Sequence, residues 1–149
     1  MKKKPTIAIV TTTASTISSF MLKNIKELNN YYNVLIFCKY AVSLKKIVPK
    51  EVLLTNINFK RKPNLIIDFV TFITLVYFLI KYKPILTISM SPKAGFINAL
   101  SSFISRIPYR IHWYTGQLWA SRKGVIRLFY KILDQIIFIL SCHVLIDSI

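Results

Sequence analysis

The chain has 149 residues, with 21 Lys and Arg against 5 Asp and Glu, so its formal net charge is +16. Yet 54% of its residues are hydrophobic, including ten Phe and eight Tyr, which a disordered basic tail would lack. The composition therefore excludes disorder, and the length suits one compact domain. Five acids are also too few for most carboxylate-based catalysis.

Strands and helices are predicted to alternate along the chain. Short β-branched or apolar runs predict the strands, and apolar residues at helical spacing predict the helices. The predicted strands cover residues 6–11, 34–39, 52–59, 85–89, 109–114 and 143–147, and the predicted helices cover 17–29, 65–82, 92–106 and 125–140. This order predicts an α/β fold with a Rossmann-like doubly wound, mostly parallel sheet and helices on both faces.

Three predicted turns lie at the carboxyl ends of strands, where ligands bind in doubly wound sheets. They cover residues 12–16, 89–93 and 115–119. Ser15 or Thr16 is predicted to cap the first helix, Asn64 the second, and Ser91 followed by Pro92 the third. Because a helix N-terminus and hydroxyl groups can bind phosphate or sugar, the candidate ligand-binding residues here are Thr13, Ser15, Ser91 and Lys93.

The helix over residues 65–82 allows three interpretations. It carries one carboxylate, Asp68, among apolar residues, and it is shorter than the 20 or so residues of a typical membrane span. It could be buried in a soluble core, could cross the bilayer, or could lie in the membrane interface. The interfacial interpretation uses the flanking basic residues Arg61, Lys62, Lys81 and Lys83 as contacts to lipid phosphates.

A second candidate surface, residues 119–131, mixes aromatic with basic side chains. Such a mixture can bind single-stranded nucleic acid or an anionic bilayer. The high aliphatic content favours the membrane, and no nucleic-acid partner is expected. The candidate membrane contacts from both surfaces are Lys62, Lys81, Trp119, Arg127, Phe129, Tyr130 and Lys131.

Sequence motifs for several reaction classes are missing. There is no P-loop, GxGxxG, HExxH, GxSxG or zinc-ligand spacing, so neither a metal nor a bound cofactor is expected. The first strand–helix turn lacks glycine, which disfavours a nicotinamide enzyme. His112 and His143 are expected to be structural, and Cys38 and Cys142 are expected to be core thiols in a reducing compartment.

Three motifs together resemble the amino-terminal domain of GT-B glycosyltransferases of family 4, enzymes of O-antigen and capsule synthesis. They are Ser-Pro-Lys-Ala-Gly at 91–95, Ile-Pro-Tyr-Arg-Ile at 107–111, and Thr-Gly at 115–116. The resemblance covers most of the chain and is strongest from Pro84 onward. A subset of the family is similar at Thr115, Gly116, Gln117, Trp119, Arg122, Lys123 and Gly124, which adds these residues, Gly124 excepted, to the acceptor-binding candidates. Thr115 stands where many members have a histidine, so that histidine's role does not carry over.

The resemblance implies a retaining enzyme that moves a hexose or N-acetylhexosamine from a nucleotide-diphosphate sugar to an undecaprenyl-diphosphate-linked sugar. It would act peripherally at the cytoplasmic face of the bacterial inner membrane. Residues 1–149 would be the acceptor-side domain, with the nucleotide-sugar domain lying beyond Ile149, and these residues would not catalyse alone; the catalytic residues stay unassigned. The alternatives are a stand-alone basic module that binds membrane or nucleic acid, and a non-catalytic subunit that anchors a glycosyltransferase to the membrane.

Overall fold

A computed structural model describes residues 4–60, 63–116 and 119–146. Six strands alternate with helices in these residues. The strands are β1 Thr6–Thr13, β2 Asn33–Lys39, β3 Leu53–Asn56, β4 Leu86–Met90, β5 Tyr109–Tyr114 and β6 His143–Ile146. The helices are α1 Ala14–Thr16, a π-helical turn Ile17–Met21, α2 Leu22–Leu28, a 3₁₀ helix Ala41–Lys46, α3 Leu65–Tyr82, α4 Pro92–Ile104 and α5 Gly124–Leu140.

The six strands form one sheet in the order β3-β2-β1-β4-β5-β6, and every neighbouring pair is parallel. The strand order reverses between β1 and β4, where Ile7 pairs with Leu86 and Val10 with Ser89. This is the strand order of a doubly wound dinucleotide-binding fold, and it confirms the predicted fold class. In such a sheet the crevice at the reversal point, outside the carboxyl ends of β1 and β4, is the ordinary ligand site.

One face of the sheet, here called the α1 face, is covered by α1, the π-helical turn, α2 and the 3₁₀ helix. Ile7 and Ile9 of β1 point to this face, because alternate residues of a strand point to opposite sides. They pack with Ile17 and Ile25 from the covering helices and with Leu44 from the 3₁₀ helix. The outward positions of these helices are mostly polar, including Ser15, Ser18, Lys23, Lys26 and Glu27. The helices are therefore amphipathic in the ordinary sense.

The opposite face, here called the α3 face, is covered by α3, α4 and α5. Ala8 and Val10 of β1 and Phe37 of β2 pack there against Leu75 and Leu79 of α3. Apart from Ile97, the buried side of α4 is made of small and polar residues: Ala94, Gly95, Asn98, Ala99, Ser101 and Ser102. The small residues let α4 lie close to the sheet and to α3. The polar residues place a polar network inside the apolar core of this face.

The helix α3 begins as predicted. Asn64 is the N-cap, and its Oδ1 accepts a hydrogen bond from the Ile67 amide at 3.0 Å. The interpretation that α3 is buried in a soluble core is wrong for the described residues. Only Thr71, Leu75 and Leu79 are buried, whereas large apolar side chains along the helix are exposed: Leu65, Ile66, Phe69, Val70, Ile73, Tyr77 and Ile80.

Several local predictions need correction. Thr13, not Ser15 or Thr16, is the N-cap position of α1, and its side chain makes no capping bond, because the strand runs two residues further than predicted. The strand predicted at 52–59 is only Leu53–Asn56, and the one at 143–147 is described to Ile146. Cys38 is buried, but Cys142 is exposed because β6 lies at the edge of the sheet. His143 is exposed for the same reason.

Candidate functional site

A cavity of about 600 Å³ lies at the carboxyl ends of β1 and β2. Thr13 and Ser15 line it and share a hydrogen bond of 2.8 Å between their hydroxyl oxygens, and a third hydroxyl, that of Thr16, lies 3.3 Å from Thr13 Oγ1. The full lining is Thr12, Thr13, Ala14, Ser15, Thr16, Lys39, Tyr40, Ser43 and Phe59. Hydroxyl groups that both donate and accept, beside an aromatic ring and one amine, are the chemistry that recognises a sugar or its phosphate.

Tyr40 closes the far side of this cavity in a left-handed backbone conformation, with φ at 61°. Its amide donates to Asn56 Oδ1 at 2.7 Å, which ties the turn to the end of β3. The Lys39 ammonium lies 4.8 Å from the centre of the Tyr40 ring. Tyr40 and Lys39 were not among the predicted site residues, because nothing local in the sequence indicates that this turn faces the β1 loop.

Ser91 lies at the reversal point of the sheet and has an unusual backbone. Its φ and ψ are 71° and 142°, a region that non-glycine residues rarely adopt. It is the N-cap of α4, as predicted, with Pro92 at the first turn, but its hydroxyl makes no capping bond. That hydroxyl instead donates to Thr12 Oγ1 at 3.3 Å. The two turns at the ends of β1 and β4 are thereby joined.

Lys93 was predicted as a phosphate ligand, and the structure shows which groups its ammonium contacts. Its ammonium lies 2.6 Å from Asp68 Oδ1 and donates to the Lys60 carbonyl at 2.7 Å. The ion pair joins the first turns of α3 and α4. The Lys93 ammonium is therefore partly neutralised, and in this structure it holds the first turns of α3 and α4 together.

Trp119 lies after β5 and faces α5. The Lys131 ammonium is 5.0 Å, and the Arg127 guanidinium 5.6 Å, from the centre of the Trp119 indole. The indole also hydrogen bonds to Asp134. Burial raises the pKa of Asp134, and the bond to Trp119 lowers it to a lesser degree. Arg122 and Lys123 precede α5 and are exposed. Trp119, Arg127 and Lys131 thus form one cluster, which adds cations to the carboxyl edge beside β5.

Thr115 and Gly116 follow β5, and Gly116 has φ at +151°, a conformation that favours glycine. Gly116 is exposed and open on its side-chain side. The Tyr114 hydroxyl donates to the Asp134 carbonyl at 3.1 Å. Burial, and to a lesser degree the Asp134 charge, raises the pKa of Tyr114 to about 12. Tyr114 therefore stays neutral and holds α5 against β5. Gln117, and Lys62 among the membrane candidates, lie outside the described residues.

His112, which was predicted to be structural, lies in the core. Its ring is completely buried on β5, and Nδ1 lies 2.9 Å from Ser89 Oγ. Desolvation lowers its pKa to about 4, so it is neutral at pH 7. Gly95 of α4 packs on the ring so closely that an added Cβ would lie 2.3 Å from Cε1.

The candidate membrane contacts that the structure describes lie on α3, α5 and the turn before α5. Lys81 lies over the rings of Tyr77 and Tyr82, at 5.9 Å and 5.4 Å from their centres. Phe129 is half exposed, and Tyr130 is partly buried against it in an edge contact of 5.7 Å. By length and composition alone, α3 could cross a bilayer. Trp119, Arg127 and Lys131 are therefore brought together, whereas Lys81 lies in the last turn of α3 beside Tyr77 and Tyr82.

Within the part of the chain that the structure describes, no group of three His, Cys, Asp or Glu residues could hold a metal ion. Cys38 is an unreactive thiol, since burial raises its pKa to about 12.

Comparison with known proteins identifies the fold. No protein-family model matches the chain, and no curated protein matches it. Among solved structures, it is similar to a proposed UDP-N-acetylglucosamine 2-epimerase from Listeria monocytogenes, with a TM-score of 0.66 and 14% identity over 96% of this chain and 39% of that chain.

A second UDP-N-acetylglucosamine 2-epimerase has a TM-score of 0.66 at 17% identity, covering 95% of this chain and 40% of that chain. The UDP-GlcNAc 2-epimerase from Neisseria meningitidis, solved with UDP-GlcNAc bound, has a TM-score of 0.61 at 19% identity, covering 93% of this chain and 39% of that one. These epimerases have a GT-B-like fold, and this chain has the Rossmann-like α/β architecture of part of it. The chain spans about two fifths of their length. Membership of glycosyltransferase family 4 stays a prediction.

Proposed function

We propose that this chain is the acceptor-side domain of a glycosyltransferase that acts on a lipid-linked sugar at the membrane surface. The donor would be a nucleotide-diphosphate sugar, bound by a second domain encoded beyond Ile149, and the acceptor a sugar on undecaprenyl diphosphate. The enzyme would be peripheral on the cytoplasmic face of the inner membrane. The GT-B-like fold supports a role in sugar-nucleotide chemistry, and the motifs at 91–95, 107–111 and 115–116 favour transfer.

One observation supports the acceptor role above the others. The hydroxyl-lined cavity at the carboxyl ends of β1 and β2 lies at the same edge of the sheet as the first turns of α3 and α4. The Ser91–Thr12 hydrogen bond connects the turn before α4 to Thr12, which lines this cavity. A lipid-linked sugar has a polar head and an apolar chain, so it needs both kinds of surface beside each other.

The charge distribution supports a membrane location. The net charge of +16 is attractive to anionic phospholipids, and each basic residue near such a surface contributes about 1 kcal/mol. Exposed apolar side chains on α3, with Ile66 78% exposed, would enter the interfacial layer. Trp119 and its two cations would lie at the headgroup level.

The transferase is tested with the enzyme expressed from its complete gene. Labelled nucleotide sugar and an undecaprenyl-diphosphate-linked sugar are supplied, and label entering the lipid phase is measured. Thr13→Ala is expected to raise the KM for the acceptor roughly two- to tenfold, because it removes one neutral hydrogen bond. Ser19→Ala, an exposed hydroxyl outside the cavity, is the control. A complete gene that ends at codon 149, with no partner supplying a donor domain, would contradict the proposal.

The membrane location is tested by flotation of the 149-residue chain with phosphatidylglycerol vesicles. Ile66→Asp is expected to reduce the bound fraction, whereas Val42→Asp is not. Val42 is 69% exposed but lies on the 3₁₀ helix of the α1 face, so the pair matches in chemistry and differs in location. Equal losses, or retention on single-stranded DNA without vesicle binding, would count against the membrane and favour a nucleic-acid module.

A further inference from the structure

An apolar groove of about 460 Å³ runs between the three helices of the α3 face. Phe69 and Phe72 of α3 line one wall, Phe96 and Leu100 of α4 the floor, and Phe129 and Leu133 of α5 the other wall. Its volume falls in the range of roughly 300–1,000 Å³ in which proteins bind small organic ligands. The groove opens at the first turns of α3 and α4, which is the carboxyl edge of the sheet.

The groove is apolar along its length and charged at one end. Lys93 and Asp68 line that end and form the ion pair between α3 and α4. Arg127 lies one helical turn before Tyr130, another lining residue, so its guanidinium is on the adjoining side of α5. Arg122 and Lys123 precede the same helix. Because Lys93 is already paired with Asp68, the remaining positive charge near this end comes from Arg122, Lys123 and Arg127, outside the lining. This arrangement favours an occupant that combines a hydrocarbon chain with an anionic group at one end.

We propose that this groove holds the isoprene units next to the diphosphate of the lipid-linked acceptor, an inference that rests on the proposed function. A flat bilayer surface would leave a concave groove unfilled, whereas one chain fills it and buries its aromatic walls. An isoprenyl chain carries a methyl branch on each unit, so it buries more apolar surface per unit length against the aromatic walls than a straight alkyl chain does. Ser91 directly precedes Pro92, which lines the groove, and its hydroxyl donates to Thr12, which lines the cavity that would take the sugar.

The test uses the 149-residue chain and three soluble probes with the same phosphate head: farnesyl phosphate, dodecyl phosphate and inorganic phosphate. Affinities are measured by calorimetry at fixed salt. Farnesyl phosphate is expected to bind at least tenfold more tightly than inorganic phosphate, roughly what burying a few isoprene carbons supplies. It is also expected to bind more tightly than dodecyl phosphate. Equal binding of all three, or of the two hydrocarbon probes, would overturn the proposal.

Two matched variants of α5 place the site. Phe129→Asp puts a carboxylate into the groove wall and is expected to weaken farnesyl phosphate binding roughly tenfold or more. Phe138→Asp makes the same change at a Phe that is 65% exposed and does not line the groove, and it should leave the affinity unchanged. Leu133→Trp, which fills the groove without adding charge, is expected to act like Phe129→Asp. Circular dichroism checks that each variant is folded.

The outcomes separate this inference from the proposed function. If the complete enzyme transfers sugar to a lipid-linked acceptor and Leu133→Trp changes neither its KM nor farnesyl phosphate binding, the groove inference is wrong and the transferase stands. If farnesyl phosphate binds as expected but no transfer occurs, the groove stands and the transferase fails. If Phe129→Asp and Leu133→Trp lower only the binding of phosphatidylglycerol vesicles, the groove is a bilayer contact and the inference is wrong.

Discussion

The two faces of the sheet use their hydrophobic residues in opposite ways. On the α1 face, Ile17, Met21 and Ile25 are buried against the sheet, while the outward positions are mostly serine, lysine and other polar residues. On the α3 face, the buried side of α4 is small and polar, and the outward sides of α3 and α5 carry leucine, isoleucine and phenylalanine. The first arrangement completes a core. The second leaves an apolar surface exposed in the described residues.

The inside of the α3 face is held by hydrogen bonds as well as by packing. Asn98 Nδ2 donates to Thr87 Oγ1 at 3.3 Å, and the Ser102 hydroxyl donates to Asn98 Oδ1 at 3.1 Å. Such buried networks are costly when one partner is lost. These residues therefore satisfy one another inside the α3 face, and the apolar side chains on the outside of α3 and α5 take no part in the network.

The largest expected effect compares the two sides of α3. Leu75→Ala removes a fully buried side chain and is expected to lower the free energy of unfolding by about 2–5 kcal/mol. Ile66→Ala, at a residue 78% exposed, should change it by less than about 0.5 kcal/mol. Urea denaturation of both variants measures this. Similar losses would mean that the outside of α3 packs against something in the isolated chain, and the contrast between the faces would fail.

The next effect is a pH dependence centred on the buried ring of His112. Its pKa is about 4 when folded and about 6.5 when unfolded, so below pH 6.5 the unfolded chain takes up a proton that the folded chain refuses. Stability is therefore expected to fall by about 3 kcal/mol as the pH drops from about 6.5 to about 4. The measurement is urea denaturation across this range.

His112→Gln is the control for that pH dependence. Because the pKa of Asp134 is raised, the folded chain loses stability as the pH rises through the titration of that carboxyl, which is the opposite sign to the histidine effect. The wild type and the variant both contain Asp134, so its contribution is common to both. The difference between the wild type and the variant therefore isolates the histidine. A difference that does not change with pH would mean that the ring is protonated or hydrated in the folded chain.

Much of the fold follows from local patterns. The β-branched run at residues 6–11 and the Asn64 cap before α3 were enough to place those elements, because strand propensity and capping act within a few residues. The π-helical turn Ile17–Met21 and the 3₁₀ helix Ala41–Lys46 were not predicted. Residues 17–21 were predicted as part of an α-helix, and residues 41–46 lay in no predicted element.

The candidate site was predicted less completely, for a similar reason. The ends of β1, β4 and β5 were correctly predicted to share one edge, since parallel strands bring those ends together. The predicted turn at 12–16 was wrong in part, because Thr12 and Thr13 belong to β1 and residues 14–16 are helical, and part of the turn at 115–119 lies outside the described residues. The Asp68–Lys93 ion pair, the Tyr40 side of the cavity and the apolar groove depend on residues that are 16 to 70 positions apart. Their contacts follow from strand order and helix packing, which the sequence pattern alone does not determine.

A third prediction concerns the close packing inside the α3 face. Gly95→Ala places a Cβ against the His112 ring, and overpacking of this kind costs about 1–3 kcal/mol, more than the helix propensity gained. In a His112→Ala background the same change should cost at least about 1 kcal/mol less, because the obstacle is gone. A double-mutant cycle by thermal denaturation measures the coupling. Additive effects would show that α4 shifts freely on the sheet.

The smallest expected effect compares one substitution on the two faces. Ser19→Gly, at an exposed position of the π-helical turn on the α1 face, is expected to cost about 0.5–1 kcal/mol, the usual price of glycine in a helix. Ser91→Gly should cost nothing or stabilise by up to about 1 kcal/mol, because relief of the positive φ outweighs the lost bond to Thr12. Calorimetric melting of the two variants gives the sign of each effect. If Ser91→Gly lowers stability as much as Ser19→Gly, the turn at the end of β4 is unstrained. If Ser91→Gly leaves stability unchanged but raises the KM for the acceptor in the complete enzyme, the strained backbone contributes to acceptor binding.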